Sequence, residues 1–199
     1  MEALSLYIPR LGELGFYAKM LEDPATMAYN APWYPPDGCI SFPRERWLDW
    51  YGQWFGQEPN RFYAYLRRTE DGVFVGGVEY HRSPERDWWD LGVLIYAPER
   101  GKGYGSQGLA LLLELAFRSG VTCLHNEFEA SRTAALRMHL HAGFREIARQ
   151  DDIIHLMLTR EDYLHRDRSG RRERPSAGMS RQLRGLPSDS TILSGRDSS

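Results

Sequence analysis

A glycine-rich stretch with two cations, residues 100–108, holds the residue types that point most directly to chemistry. It lies between an apolar run at residues 91–96 and a helical pattern at residues 109–118. Glycines let the backbone approach a ligand closely, and the free NH groups at a helix N-terminus bind phosphate oxygens. Arg100 and Lys102 add positive charge at the rim. The stretch therefore predicts a binding site for a phosphate-containing ligand.

The glycine spacing can be compared with three kinds of phosphate loop. The sequence contains no G-x-x-x-x-G-K-[ST], which excludes the nucleoside-triphosphate loop. Gly103, Gly105 and Gly108 match the dinucleotide pattern G-x-G-x-x-G, and Glu127 follows at about the expected ~20 residues. However, residues 97–100 separate these glycines from the strand, and too little chain follows for a doubly wound sheet. A dinucleotide-binding oxidoreductase is therefore the weaker alternative.

The third pattern, Arg100-x-x-Gly103-x-Gly105 behind a strand and a proline turn, resembles the acetyl-CoA signature of the GNAT superfamily of N-acetyltransferases. A second segment, residues 131–144, resembles the later motif of that family, a helix that ends in Gly-Phe. The order and separation of the two segments also agree with the family.

The resemblance implies that acetyl-CoA is the acyl donor and indicates where it binds. The pyrophosphate is expected on the NH groups of the glycine loop, and the pantetheine amides on the backbone of the preceding strand, which would also polarise the thioester carbonyl. Arg132 stands where the family commonly has a cofactor-contacting Asn. The expected cofactor residues are Val93, Leu94, Ile95, Arg100, Gly101, Lys102, Gly103, Tyr104, Gly105, Ser106 and Arg132.

Acyl transfer to an amine requires a base that takes the amine proton. Glu127 occupies the position, counted back from Gly143-Phe144, at which the ribosomal-protein alanine N-acetyltransferases carry a glutamate base. Glu79 and Asp90 compete for this role.

Transfer also requires an acid for the departing thiolate, and His139 stands where the family usually has a tyrosine. A neutral histidine is a poor acid at pH 7. Either Glu127 holds His139 charged, or water or Tyr104 protonates the thiolate, or turnover is slow; alternatively His139 is a hydrogen-bonded core residue. The histidines at 125, 141 and 155 show no ligand spacing, so no metal is predicted.

The elements that must position these residues follow from apolar periodicity and turn signals. The predicted order is β-α-α-β-β-β-α-β-α-β-β, which agrees with the GNAT fold. This is an α/β (α+β) fold with a mixed, mostly antiparallel sheet of about six to seven strands and about four helices. The predicted strands are 4–8, 61–68, 73–81, 88–96, 122–129, 144–149 and 153–158, and the predicted helices are 11–21, 43–56, 109–118 and 131–142.

Composition divides the chain into one domain, residues 1–164, and a basic tail, residues 165–199, that is rich in Ser, Gly and Arg and is expected to be disordered. A net charge of −2 and no apolar run of membrane-spanning length give no indication of nucleic-acid or membrane binding. The N-terminus lacks the features of a secretory signal, and two distant cysteines indicate reduced thiols in the cytoplasm.

The sequence thus predicts an N-acetyltransferase that moves acetyl from acetyl-CoA to a primary amine of a small molecule or protein by direct attack. A catalytically weak acyl-CoA-binding module of the same fold is the alternative, because the usual tyrosine is missing. The aromatic residues between positions 29 and 55, with several carboxylates, suggest a cationic or aromatic amine acceptor. Unpaired edge strands and tryptophan-rich surfaces are compatible with a homodimer.

Overall fold

The computed structural model describes residues 2–31 and 33–172, and a seven-stranded sheet forms its centre. The strand order is β1-β2-β3-β4-β5-β7-β6. Every neighbouring pair is antiparallel except β4 and β5, which are parallel. The strands are β1 (Leu4–Tyr7), β2 (Arg61–Arg68), β3 (Phe74–Arg82), β4 (Trp89–Ile95), β5 (Cys123–Glu129), β6 (Arg145–Gln150) and β7 (Ile153–Thr159).

Six α-helices accompany the sheet in the described part of the chain: α1 (Gly15–Leu21), α2 (Pro24–Met27), α3 (Trp47–Trp54), α4 (Tyr104–Arg118), α5 (Thr133–Ala142) and α6 (Arg160–Arg172). In α4, apolar residues recur at intervals of three and four, so one face of the helix is buried in the main core. A second core joins α1 to the segment before α3 through Leu14, Leu21, Met27 and Phe42. Burial of each such side chain stabilises the fold by roughly 1.5–3 kcal/mol.

The parallel pair β4 and β5 diverges almost as soon as it forms. Its only pairs in the described structure are Trp89 with Leu124 and Asp90 with His125. Beyond Asp90, β5 continues along β7, while the edge of β4 that faced β5 carries backbone NH and CO groups with no strand partner. This divergence opens the sheet at the strand that precedes the glycine loop.

The predicted fold class is confirmed, and the predicted strands agree with the observed ones to within one or two residues. The helix after the glycine loop begins at Tyr104, five residues earlier than predicted, because Gly103 is already its N-terminal cap. The α5 helix begins at Thr133, two residues later than predicted, and Arg132 is its N-cap residue.

The domain boundary predicted at residue 164 falls within α6, which runs from Arg160 to Arg172. The rest of the tail expected to be disordered, residues 173–199, lies outside the described residues. Within the described part of the chain, none of the helices combines the length and the apolar character needed to span a bilayer.

Candidate active site

A cleft of about 540 Å³ lies between the diverging end of β4, the N-terminus of α4 and the start of α5. Its walls include the strand residues Val93, Leu94 and Ile95, whose outer backbone edge is unpaired. All but one of the residues expected to hold the cofactor line this cleft, and the exception is Lys102. The lining residues among them are Val93, Leu94, Ile95, Arg100, Gly101, Gly103, Tyr104, Gly105, Ser106 and Arg132.

The glycine loop gives this cleft an anion-binding wall. Gly101 and Gly103 have φ values of 80° and 81°, in the left-handed region that favours glycine. The Gly103 carbonyl accepts the Gln107 NH at 3.3 Å, so the NH groups of the residues between them have no partner within the helix. Because α4 has 15 residues, these NH groups stand at the positive end of a full helix dipole.

The two predicted cations of the loop differ in their placement. The Arg100 guanidinium donates to the carbonyls of Ile95, Ala25 and Thr26 at 3.2, 3.0 and 2.7 Å, so it fastens the loop to β4 and α2 while bordering the cleft. The Lys102 ammonium donates to Glu99 at 2.8 Å and is not part of the cleft wall.

Tyr104, one of the alternative acids for the thiolate, has another partner for its hydroxyl. The side chain is 2% exposed and the hydroxyl donates to the Glu2 carboxylate before β1. The residue therefore borders the cleft while its hydroxyl is engaged by Glu2.

A second cavity of about 400 Å³ adjoins the cleft and shares Tyr29, Val93, Leu94 and Arg132 with it. Glu79 on β3 lies in its wall, and burial raises the pKa of this carboxyl to about 7. Within the described residues, no donor hydrogen-bonds to it and no basic side chain forms an ion pair with it. A Cβ at Gly92, its partner on β4, would lie 3.0 Å from the carboxyl oxygen, so the glycine makes room for the Glu79 carboxyl.

Glu127, the base predicted from sequence, also borders the second cavity, but its carboxylate is paired elsewhere. Its side chain is 58% exposed, and one oxygen lies 3.0 Å from Nδ1 of His155 on β7. Asp90, the other competing carboxylate, lies 2.7 Å from Nδ1 of His125. The desolvated carboxyl of the second cavity is therefore Glu79.

His139 lies behind the cleft rather than in its wall. Its side chain is buried, its Nδ1 donates to the Ala135 carbonyl at 2.8 Å, and its Nε2 accepts from the Asn126 amide at 2.9 Å. Burial lowers the pKa of His139 to about 4, so the imidazole is neutral at pH 7. Glu127 does not hold it charged, and a neutral imidazole with both nitrogens occupied is not a proton donor to a thiolate.

Arg132 and Tyr29 stand together at the junction of the two cavities. The Arg132 guanidinium carbon lies 4.6 Å from the Tyr29 ring centroid and 5.3 Å from that of Phe128. Burial lowers the pKa of Arg132, and burial together with Glu79 raises the pKa of Tyr29, so the phenol stays protonated at neutral pH.

Sequence reasoning missed Tyr29, Tyr17 and Tyr63 as individual site residues. The proline-broken, aromatic segment around position 29 was the one signal available for Tyr29. The two other tyrosines lie in a regular helix and strand, where an aromatic residue at core spacing carries no sign of a cavity.

Comparison with known proteins identifies the family of this chain. The acetyltransferase (GNAT) family model matches residues 25–144, which is more than half of the chain. A search of curated proteins finds no match.

Solved structures with the same fold include a spermidine N-acetyltransferase from Vibrio cholerae in complex with CoA and spermine, with a TM-score of 0.67 and 15% identity over 81% of this chain and 98% of that one. A GNAT-family acetyltransferase from Bacillus anthracis has a TM-score of 0.62 and 15% identity over 80% and 96% of the two chains. A nucleotide-linked sugar GNAT has a TM-score of 0.63 and 17% identity over 86% and 94%.

Proposed function

This chain belongs to the acetyltransferase (GNAT) family, and we propose that it transfers the acetyl group of acetyl-CoA to a primary amine by direct attack. The observation that carries the proposal is the meeting of the two cavities. The larger one has the features of a CoA site, and the adjoining one places a carboxyl with a pKa of about 7 where an amine would enter.

The residues of the cleft fit acetyl-CoA. The free NH groups of Tyr104, Gly105 and Ser106 suit pyrophosphate oxygens, and the unpaired edge of β4 suits the amides of a pantetheine arm. When bound, acetyl-CoA supplies an activated acetyl thioester. The backbone NH groups near Val93 and Leu94 would hold the carbonyl oxygen as charge develops on it.

Glu79 is the base that we propose for the incoming amine. A carboxyl with a pKa of about 7 is substantially ionised at pH 7.5 and is a strong enough base to take an amine proton directly or through one water. Glu127 borders the same cavity and remains the alternative predicted from sequence.

Tyr29 is the proton donor that we propose for the departing thiolate. It borders both cavities, its phenol stays protonated, and the guanidinium of Arg132 lies over its ring. His139 would then serve to join α5 to β5 through Asn126.

For the acceptor we propose a cationic amine of the polyamine class. The carboxylates Glu79 and Glu127 and the rings of Tyr17, Tyr34 and Tyr63 border the second cavity, and carboxylates and aromatic faces both attract ammonium groups. The V. cholerae structure with CoA and spermine supports this choice by its fold. The cytoplasmic location and the homodimer expected from sequence stay predictions.

The test measures CoA release from acetyl-CoA with a panel of polyamines, aromatic amines and an N-terminal peptide. Glu79→Gln should abolish most turnover while acetyl-CoA still raises the melting temperature, and Glu70→Gln, in an exposed turn, is the matched control. Loss in Glu127→Gln but not in Glu79→Gln would assign the base to Glu127. Acetyl-CoA binding without turnover on any amine would favour the acyl-CoA-binding module, and the absence of CoA binding would overturn the proposal.

A further inference from the structure

Three potential metal ligands converge on one face of the sheet, beside the second cavity. His125 and Glu127 are two residues apart on β5, so their side chains point to the same face. Glu127 is directly opposite His155 on β7, and opposite residues of an antiparallel pair also share a face. The register of two strands far apart in sequence therefore brings together residues whose spacing alone indicated no metal.

Two of the three pairs of ligand atoms are already close to coordination spacing. Nε2 of His125 lies 3.2 Å from Nδ1 of His155, and that Nδ1 lies 3.0 Å from a carboxylate oxygen of Glu127. All three ligand atoms fall within 4.8 Å of one another. Ligands about 2.0–2.1 Å from a tetrahedral Zn²⁺ are about 3.3–3.4 Å apart, so only small side-chain adjustments separate this cluster from a coordination sphere.

Asp90 on β4 orients the most buried of the three ligands. Its carboxylate lies 2.7 Å from Nδ1 of His125, and because a carboxylate accepts, this nitrogen carries the proton. The lone pair of Nε2 is thereby directed at His155. Trp88 stacks on the His125 ring at 4.5 Å and donates its indole NH to Asp90 at 3.2 Å. A carboxylate behind a ligating histidine is the usual outer partner at protein metal sites.

Charge and access also suit a dication. Glu127 and Asp90 contribute two negative charges beside two imidazoles. The exposed fraction of the side chain rises from 3% for His125 to 26% for His155 and 58% for Glu127, so the cluster is anchored at one end and open at the other. A cavity of about 800 Å³ lies over the open end and leaves room for water or a further ligand.

We propose that His125, Glu127 and His155 form a binding site for a divalent transition-metal ion such as Zn²⁺. Two imidazoles and one carboxylate favour Zn²⁺, Ni²⁺ or Cu²⁺ over Mg²⁺ and Ca²⁺, which prefer oxygen ligands. The ion joins β5 to β7 and keeps a fourth position open toward the cavity. Nδ1 of His155 binds the ion only in its unprotonated form, so the ring proton is then carried by Nε2 or released to solvent.

The experiment uses the full-length, tag-free chain after chelator treatment, titrated calorimetrically with Zn²⁺, Ni²⁺ and Mg²⁺. We expect one Zn²⁺ per chain, no Mg²⁺ binding, and a tetrahedral visible absorption spectrum with Co²⁺. His155→Gln should weaken Zn²⁺ binding at least 100-fold, and Asp90→Asn by roughly 10–100-fold. His141→Gln, an exposed histidine on α5, and Cys123→Ser should leave binding unchanged.

Circular dichroism and the melting temperature with CoA show whether each variant is folded, so a misfolded variant is not counted as a lost site. Zn²⁺ binding of equal strength in His155→Gln and the unmodified chain, or the absence of stoichiometric Zn²⁺ binding, would overturn the proposal. Neither result depends on turnover, so the metal site and the acetyltransferase proposal fail or stand separately.

Discussion

At the scale of single residues, the carboxyl of Glu79 is distinguished by its burial in the wall of the second cavity. It is desolvated, and no basic side chain in the described chain pairs with it, so its neutral form is favoured and its pKa rises to about 7. A group that titrates near neutrality can accept a proton from one species and release it to solvent in each cycle.

We expect kcat/KM to rise with pH through about 7, as Glu79 loses its proton. In Glu79→Gln this rise of kcat/KM with pH should disappear. The rate should fall by roughly 10²–10⁴-fold, the usual contribution of a general base. Steady-state rates from pH 5.5 to 9 check this. A rise of kcat/KM near pH 7 that is still present in Glu79→Gln would contradict the assignment of Glu79 as the base.

Ionisation of the buried Glu79 carboxyl should lower the free energy of unfolding at high pH. Its folded pKa is raised above the unfolded value of 4.5, so stability is fully present below about pH 4.5 and is lost as pH rises through about 7. Between pH 4 and pH 8, the unfolding free energy of the unmodified chain should fall by roughly 2–3 kcal/mol more than that of Glu79→Gln. Urea unfolding of both chains at the two pH values measures this difference, and Glu70→Gln should show none.

His139 should have the opposite pH dependence. Its folded pKa of about 4 lies below the unfolded value of 6.5, so the stability contributed by the neutral, hydrogen-bonded ring is lost as pH falls from 6.5 toward 4. Between pH 7.5 and 4.5 the chain should lose roughly 2–3 kcal/mol more than His139→Gln. Equal losses in urea unfolding would show that the ring is not buried in its neutral form.

At the scale of elements, the glycines of the loop and of α4 have different tasks. Gly103 ends the loop in the left-handed region and aims the first NH groups of α4 at the cleft. Gly108 lies one turn later on the buried face, where a Cβ would approach Leu66 of β2 to 2.5 Å. One glycine shapes a binding loop, and the other lets the helix approach the sheet.

Substitution should separate these two tasks. Gly108→Ala should destabilise the fold by about 1–3 kcal/mol through overpacking, yet keep the rise in melting temperature with CoA. Gly103→Ala should cost about 1–2 kcal/mol from the left-handed backbone and also weaken CoA binding. Thermal melts with and without CoA measure both, with Gly12→Ala, which has open space around it, as the control. Loss of CoA binding in Gly108→Ala alone would reverse the assignment.

At the scale of the whole molecule, three candidate binding sites lie around the point where β4 diverges from β5. The cleft beside the glycine loop, the second cavity and the histidine cluster follow one another around the break, and Glu127 borders the last two. The cleft and the cavity above the cluster have no lining residue in common.

We therefore expect Zn²⁺ and CoA to bind independently. The dissociation constant of CoA, measured calorimetrically, should change less than about twofold at saturating Zn²⁺, because no residue contacts both ligands. A larger change would mean that the strands between the two sites move together when the metal binds. Chelator-treated chain without added metal is the control.

The sequence by itself determined the order of the strands, the helices α1, α3, α4 and α5 between them, and the position of the glycine loop, because all of these depend on local residue patterns. Apolar periodicity indicates strands and helices. Glycines indicate tight loops, and Gly103 indeed has a positive φ, which glycine adopts without strain. Most of the motif at residues 131–144 likewise forms a single helix, Thr133–Ala142, which ends at Gly143.

Only the tertiary structure decided which carboxylate is desolvated, that His139 is neutral, and that His125, Glu127 and His155 meet. A raised or lowered pKa depends on the helices that exclude water from a side chain, and α1 and α2 are distant from Glu79 in sequence. The histidine cluster depends on β5 pairing with β7 rather than with the next strand in sequence, β6. The pKa shifts and the histidine cluster therefore depend on long-range packing and strand register, which local residue spacing does not indicate.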